Sequence, residues 1–137
     1  MQNKLHPDPS PGAITRVPGF RAAGVACGLK EGDQLDLALV ACDQPAAAAA
    51  VFTTNAFKAA PVLYDLELLS RSHSAIQAIV INAGNANACT GAGGLGDAER
   101  MARLVETALA LPPDSVFVMS TGIISATTAS AMDTSTY

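Results

Sequence analysis

The chain has 137 residues, a length typical of a single domain, and its 50% hydrophobic and 15% charged residues exclude the composition of a disordered chain. A formal net charge of −4, with eight Lys and Arg spread along the sequence, excludes a basic surface for nucleic acid. Alanine supplies 27 residues, aromatics only 4%, and Trp is missing. We therefore expect strand and helix layers that pack closely on small side chains and that another chain can complete.

Cys27, Cys42 and Cys89 are odd in number and lack C-x-x-C or Cys/His spacing, so they indicate neither a disulfide framework nor a metal site. We expect reduced, mostly buried thiols and a cytoplasmic protein. No apolar run reaches the length of a membrane span.

In chain order, residues 1–13 are polar and proline-rich and are predicted to be a flexible leader, followed by an ordered domain over 14–124. Short apolar runs bounded by Gly, Pro, Asn and Asp predict strands over 20–27, 36–42, 48–54, 61–64 and 75–82. The glycine-containing segment 28–33 favours an antiparallel hairpin between the first two strands. A short helix is predicted over 66–73.

The strongest helix signal begins at Asp97, a good N-cap, and ends at Pro112 and Pro113. Its apolar positions have helical spacing and are Met101, Leu104, Val105, Ala108 and Leu109. A strand over 115–120 then runs into Thr121 and Gly122. This order of strands and helices predicts an α/β layered domain, and the Ser/Thr/Ala-rich residues 125–137 are predicted to be a disordered tail.

The segment 82–96 is the densest in Asn and Gly and lies between a predicted strand and a helix, where α/β proteins commonly place sites. Gly91, Gly93 and Gly96 match G-x-G-x-x-G with Asp114 downstream, but the glycines begin too far after the strand and Asp114 precedes one, so we reject a dinucleotide site. Two alternatives stay open for the segment's asparagines: they build an irregular turn, or they line a pocket. These residues are Asn82, Asn85 and Asn87.

Two further positions invite a catalytic interpretation. Cys89 is a candidate nucleophile, but neither His6 nor His73 is placed to activate it, which favours a packing thiol. Thr121 and Gly122 close an apolar strand, where a hydroxyl and backbone N–H groups can stabilise an oxyanion; an ordinary strand-ending turn is the alternative. The residues by themselves do not assemble a complete nucleophile, base and orienting group.

Taken together, several ordered strings resemble the α-chain of the ornithine acetyltransferase family, the glutamate N-acetyltransferase and amino-acid acetyltransferase of arginine biosynthesis. The strings are GFRAAGVA from Gly19, DLAL from Asp36, VFTTN from Val51, AAPV from Ala59, NAGNANACTG from Asn82, and STGII from Ser120. The resemblance covers about residues 14–124 and implies a helix, sheet, sheet, helix sandwich.

The resemblance also implies a mechanism. A precursor cuts itself before an internal threonine, and the new N-terminal Thr of the β-chain takes acetyl from N-acetylornithine and passes it to glutamate in a ping-pong cycle. By the match of Ser-Thr-Gly, Thr121 and Gly122 form the oxyanion hole. The assembly implied is α2β2, with no cofactor and with acetyl-CoA as a substrate only in bifunctional members.

Residues 125–137 depart from the family pattern. Thr127, Thr128 and Thr134 faintly echo the cleavage motif, but at a spacing too short to assign a nucleophile. The expectation is an α-chain-type portion that is inactive alone and exposes the small-residue surface where its partner packs. The alternative function is a non-catalytic α/β ligand-binding or assembly module.

Overall fold

A mixed four-stranded sheet and two α-helices form the part of the chain described by the computed structural model, which is residue 12 and residues 14–72 and 74–124. A 3-10 turn, Ile14–Arg16, precedes the sheet. The elements are β1 (Phe20–Val25), β2 (Leu37–Ala46), α1 (Ala60–Ser72), β3 (Ile76–Asn85), α2 (Gly91–Leu109) and β4 (Val116–Ile123). The predicted α/β class is confirmed. Apart from Gly12, the predicted leader and tail lie outside the described residues.

The strands are ordered β1-β2-β3-β4 in space as in sequence. β1 and β2 pair antiparallel, as the segment 28–33 predicted, and β2 and β3 also pair antiparallel. β3 and β4 are parallel and α2 connects them, since parallel neighbours need a crossover connection. The carboxyl ends of β3 and β4 therefore meet at one edge of the sheet.

Both helices cover one face of the sheet, since α1 and α2 contact each other and each contacts β4. The residues on that face are the most buried: Val80, Val116 and Val118 on the strands, and Leu68 and Met101 on the helices, are each no more than 2% exposed. Small side chains such as Ala98 and Ala102, both fully buried, let α2 approach closely. The predicted packing on small residues is therefore found in this layer.

The opposite face of the sheet is only partly covered. By the strand register, Val40, Ile79 and Phe117 form one row across it, and Ala38, Ile81 and Met119 form the next. Phe117 is buried, but Val40, Ile79 and Ile81 are half-buried and Met119 is 47% exposed. This face presents contiguous apolar surface to solvent within the described part of the chain.

Two predicted strands are wrong. Residues 48–54 form no regular element, and Val51 is 99% exposed, because a β-branched run needs a neighbouring strand that it does not have here. Residues 61–64 belong to α1, where Pro61 occupies the first turn, the one helical place that tolerates proline. The predicted helix over 66–73 therefore begins earlier, at Ala60, while His73 lies outside the described residues.

The second helix begins at Gly91 with Thr90 as its N-cap, so the start predicted at Asp97 is wrong. Its glycines enter the first turns because Gly94 packs against Asn87 and Thr90 with no room for a Cβ atom. Its buried face also differs from the predicted one: Met101 is buried, but Leu104 and Leu109 are each 37% exposed. The helix ends as predicted, at a left-handed Ala110 before the prolines.

The outer edge of β4 is partly closed by a carboxylate from α1. The backbone N–H of Val118 donates to Asp65 Oδ1 over 2.9 Å, and Asp65 is only 6% exposed. Burial raises the pKa of Asp65 to about 7, and the single hydrogen bond from Val118 opposes that rise.

Asp65→Asn should remove one source of pH-dependent stability while keeping an oxygen for Val118. An unfolded aspartate has a pKa of about 4, so with the folded pKa raised, the folded state binds more protons between about pH 4 and pH 7 and loses stability as pH rises through that window. The variant should exceed the wild type in free energy of unfolding by on the order of 2 kcal/mol at pH 8 and match it near pH 4. Urea unfolding at several pH values measures this.

Asp33→Asn, at an exposed aspartate in the β1–β2 connection, is the matched control and should keep the wild-type pH dependence. Parallel stability curves for wild type and Asp65→Asn across pH 4 to 8 would contradict the assignment.

Candidate functional site

Thr121 and Gly122 lie inside β4, not in a turn after it. Thr121 pairs with Ala83 and Gly122 with Gly84, and the ladder continues to Ile123. The predicted strand end at 120, and with it the strand-ending turn, is therefore wrong. Parallel pairing with β3 extends both strands by three residues beyond their predicted ends.

The pairing at Gly122 depends on the absence of a side chain. Gly122 has φ +135°, and a Cβ atom there would overlap the carbonyl group of Gly84 and lie 2.6 Å from the amide nitrogen of Asn85. Gly84 is equally tight on its other side, where a Cβ would meet the Cβ and carbonyl oxygen of Leu29 at 3.0 Å. Two glycines thus bring β4, β3 and the connection after β1 into backbone contact.

A recess of about 470 Å³ opens at this junction. Its lining residues are Leu29, Lys30, Ala83, Gly84, Thr121, Gly122 and Ile123. Thr121 is exposed, and its hydroxyl has no hydrogen-bond partner among the described residues. Because backbone N–H groups alternate along a strand and that of Val118 points to the free edge of β4, the N–H of Gly122 points to that edge as well. The recess therefore holds the uncommitted hydroxyl of Thr121, and the N–H of Gly122 lies at the adjoining free edge of β4.

The wall of the recess formed by residues 27–30 is fixed by one buried carboxylate. Asp36, 2% exposed, accepts from the N–H groups of Cys27 at 2.7 Å, Leu29 at 2.6 Å and Lys30 at 2.9 Å. These hydrogen bonds, that of Cys27 first, hold the pKa of Asp36 well below its usual range. Burial, together with the Asp36 carboxylate, raises the pKa of the Cys27 thiol.

The asparagines build the turn between β3 and α2. Asn82 Nδ2 donates to the carbonyl of Asn85 at 2.7 Å, Asn85 Oδ1 accepts from the N–H of Asn87 at 2.8 Å, and Asn87 Nδ2 donates to the carbonyl of Gly94 at 2.7 Å. Asn87 also has a left-handed φ of 48°, which asparagine tolerates. Of the two open alternatives, the observed hydrogen bonds form the turn.

Two buried polar atoms next to the recess lack hydrogen-bond partners among the described residues. Asn82 Oδ1 and Ser120 Oγ are buried without a hydrogen-bond partner in the described part of the chain, and the two residues are register partners on β3 and β4. Buried polar atoms without partners are uncommon. They lie one register position before Thr121, so the polar character of this strand end extends inward from the recess.

The other predicted candidates lie elsewhere. Cys89 is exposed in a left-handed turn, so the expectation of a buried thiol is wrong for it, while Cys27 and Cys42 are half-buried. His6 and His73 fall outside the described residues. The described ranges contain no cluster of three His, Cys, Asp or Glu side chains placed to hold a metal ion. Nor does a helix there have the length and apolarity to cross a membrane.

The rejected dinucleotide motif has no phosphate-binding geometry. Gly91, Gly93 and Gly96 lie within α2, while Asp114 lies beyond its other end and pairs with Arg71 and Arg103 at 3.5 and 3.4 Å. Asp114 and Glu106 hold Arg103 in an ion-pair cluster that ties α2 to the start of β4.

A larger cavity, about 550 Å³, lies between segment 46–52, α1 and strands β2 to β4. Alanines and other apolar residues dominate its lining, and Asp65 contributes its carboxylate. It offers volume but few groups that could orient a substrate. The recess at Thr121 and Gly122 is therefore the candidate site.

Two residues of the site were missed by sequence reasoning. Lys30 and Asp36 were assigned only to a hairpin connection and a strand. The signal that could have found them is an aspartate at the start of a strand, because such a carboxylate can gather the free N–H groups of the preceding turn.

Comparisons with known proteins all point to one family. Residues 21–134 match the ArgJ family. The arginine biosynthesis bifunctional protein ArgJ of Shouchella clausii is 50% identical over 113 residues, which are 82% of this chain and 28% of that protein. The Thermotoga neapolitana protein of the same name is 49% identical over 106 residues, 77% of this chain and 26% of that protein. This chain thus spans about a quarter of the length of these relatives.

Two solved structures have folds similar to that of this chain. The crystal structure of arginine biosynthesis bifunctional protein ArgJ from Bacillus halodurans superposes with a TM-score of 0.79 at 38% identity, over 83% of this chain and 59% of that one. The structure of ornithine acetyltransferase complexed with ornithine from Mycobacterium tuberculosis gives a TM-score of 0.78 at 44% identity, over 83% and 61%.

Gly122→Ala should disrupt the junction that forms the recess. The new Cβ would overlap the backbone of Gly84 at a φ that disfavours any side chain, so the free energy of unfolding should fall by on the order of 2–4 kcal/mol. Chemical denaturation measures the loss, and faster amide exchange at Ile123 would locate it.

Gly24→Ala is the matched control within the same sheet. Its Cβ would meet Leu35 Cδ1 at 3.6 Å and the carbonyl oxygen of Leu37 at 3.7 Å, which are ordinary contacts. Its stability should stay within about 0.5 kcal/mol of wild type. Equal effects of the two alanines would show that close backbone approach at Gly122 is unimportant.

Proposed function

Because this chain belongs to the ArgJ family, whose bifunctional members are acyltransferases of arginine biosynthesis, we propose that it is the α-chain-type portion of an ornithine acetyltransferase. It takes part in moving acetyl from N-acetylornithine to glutamate. The observation that carries the proposal is the recess in which Thr121 presents an uncommitted hydroxyl beside the backbone of Gly122.

Acyl transfer needs such donors where charge develops. Attack on the acetyl carbonyl moves an electron pair onto its oxygen, and the tetrahedral intermediate is stabilised when fixed N–H or O–H groups already point at that oxygen. The Thr121 hydroxyl and the Gly122 N–H supply this pair. Since both sit on a strand held by the β3 ladder, they need no reorganisation as the charge forms.

The nucleophile in this proposal is the N-terminal Thr of a β-chain. Its hydroxyl takes the acetyl group from N-acetylornithine and releases ornithine, and then gives the acetyl group to the amine of glutamate, with its own α-amine as the base. The cycle is ping-pong and needs no cofactor. In a bifunctional member acetyl-CoA enters as a second acetyl donor.

The β-chain packs on the uncovered face of the sheet, in an α2β2 assembly. That face carries the rows of Val40, Ile79 and Phe117 and of Ala38, Ile81 and Met119, an apolar surface of the kind that partners bury. Ile123 and Ile124, 70% and 63% exposed, add apolar surface at the end of β4. We further propose that the reaction takes place in the cytoplasm, where cysteines stay reduced; the three cysteines of this chain form no disulfide.

Thr121→Ala should lower acetyl transfer between N-acetylornithine and glutamate by about 10²–10³-fold in kcat, the usual cost of one oxyanion donor. The assay uses this chain co-purified with the β-chain of a close ArgJ relative. Thr107→Ala is the control, because Thr107 is an exposed helical threonine whose hydroxyl donates to the carbonyl of Arg103, and it should keep the wild-type rate.

Three results would count against parts of the proposal. An unchanged rate in Thr121→Ala would remove the oxyanion assignment. Turnover by the 137-residue chain without a β-chain would overturn the divided site. A folded complex that forms but transfers no acetyl group would favour an assembly module instead.

A further inference from the structure

We infer that Lys30 binds the α-carboxylate shared by the acetyl donor and the acetyl acceptor, and so selects amino-acid substrates at the recess. This inference rests on the proposed function. Among the residues lining the recess, Lys30 is the one that carries a charge.

The Lys30 ammonium group is available for a ligand. The described residues offer it neither an ion-pair nor a hydrogen-bond partner, although the chain as a whole is acidic, with a net charge of −4. The nearby Asp36 carboxylate is committed to three backbone N–H groups, including that of Lys30 itself. A half-buried cation without a counter-charge, in a recess whose other lining residues are uncharged and mostly apolar, favours an anionic ligand.

The backbone of Lys30 is held in place, which a selective contact requires. Asp36 fixes the turn from within, through contacts of 2.6 to 2.9 Å with Cys27, Leu29 and Lys30. Leu29 rests against Gly84, directly opposite Gly122 on the ladder. The backbone that carries Lys30 and the strand that carries the oxyanion donors are therefore parts of one hydrogen-bonded unit, and less binding energy is lost in ordering that backbone.

The α-carboxylate of each substrate lies close to the reacting group, as a contact with Lys30 in the same recess requires. In N-acetylornithine the acetyl carbonyl and the α-carboxylate are separated only by the amide nitrogen and the α-carbon. When the carbonyl oxygen sits on Thr121 and Gly122, the carboxylate falls within the same recess, where Lys30 is the available cation. Glutamate, attacking through its α-amine, brings its α-carboxylate to the same position.

The test compares a substrate with and without its carboxylate. The isotopically labelled 137-residue chain is titrated with Nα-acetylornithine and with N-acetylputrescine, its decarboxylated analogue, while the amide signals of Thr121 and Gly122 are followed by NMR. Nα-acetylornithine should bind wild type at least about tenfold more tightly than it binds Lys30→Gln, as expected for a charge-assisted contact. N-acetylputrescine should bind both proteins equally weakly.

Lys58→Gln is the matched control, because Lys58 donates to the carbonyl of Asn55, outside the residues that line the recess, and should bind like wild type. Equal affinity of wild type and Lys30→Gln, equal affinity of wild type for the two ligands, or no response at Thr121 and Gly122 would each overturn the inference.

Kinetics of the complex between the α- and β-chains distinguish the role of Lys30 from the proposed acyltransferase function. In Lys30→Gln the preference for N-acetylornithine over N-acetylputrescine in kcat/KM should collapse, mainly through KM. Transfer that depends on Thr121 but keeps its preference in Lys30→Gln would reject only the role of Lys30. Lys30-dependent binding without acetyl transfer would reject only the acyltransferase function.

Discussion

Backbone contact between β3 and β4 at Gly84 and Gly122 is the constraint on which the candidate site depends. A side chain at Gly122 would overlap the Gly84 carbonyl, and one at Gly84 would press on Leu29. With a side chain at Gly122, its close pairing with Gly84 could not form, and the ladder would be disrupted next to Thr121. Because the ladder continues, the donors of Thr121 and Gly122 are fixed by hydrogen bonds between strands, and electrostatic stabilisation of a transition state requires such preorganised donors.

Buried carboxylates fix the ends of the elements around this contact, and the number of donors each receives decides its charge. Asp36 accepts three backbone N–H groups, which more than offset its burial and lower its pKa. Asp65 accepts one, from Val118, and its burial dominates, so its pKa rises to about 7. Asp36 thus adds stability above its unfolded pKa of about 4, which is lost as pH falls, while Asp65 costs stability as pH rises towards 7.

Sequence reasoning predicted the elements whose signals are local. The β1–β2 hairpin, β3 and the proline-terminated end of α2 follow from glycine, apolar runs and Pro112. It was wrong where tertiary contacts outweigh propensity. Gly91 and Gly94 read as a loop, but they begin a helix because Asn87 and Thr90 pack against Gly94. For the site, Thr121 and Gly122 were named from a motif, whereas Lys30 lines the same recess only because of the three-dimensional position of a turn.

The alanine-rich composition now has a structural consequence that differs between the two faces of the sheet. On the helix face, Ala78, Ala98 and Ala102 bury fully against larger neighbours and give close packing. On the other face, Ala38 lies in one row with Ile81 and Met119, and these larger apolar side chains stay partly exposed. Because both helices pack on the opposite face, these apolar rows gain from a second flat layer laid against them. The recess opens beside that face, at the carboxyl ends of β3 and β4, so the same layer that covers the apolar rows would also bring new groups to Thr121 and Lys30.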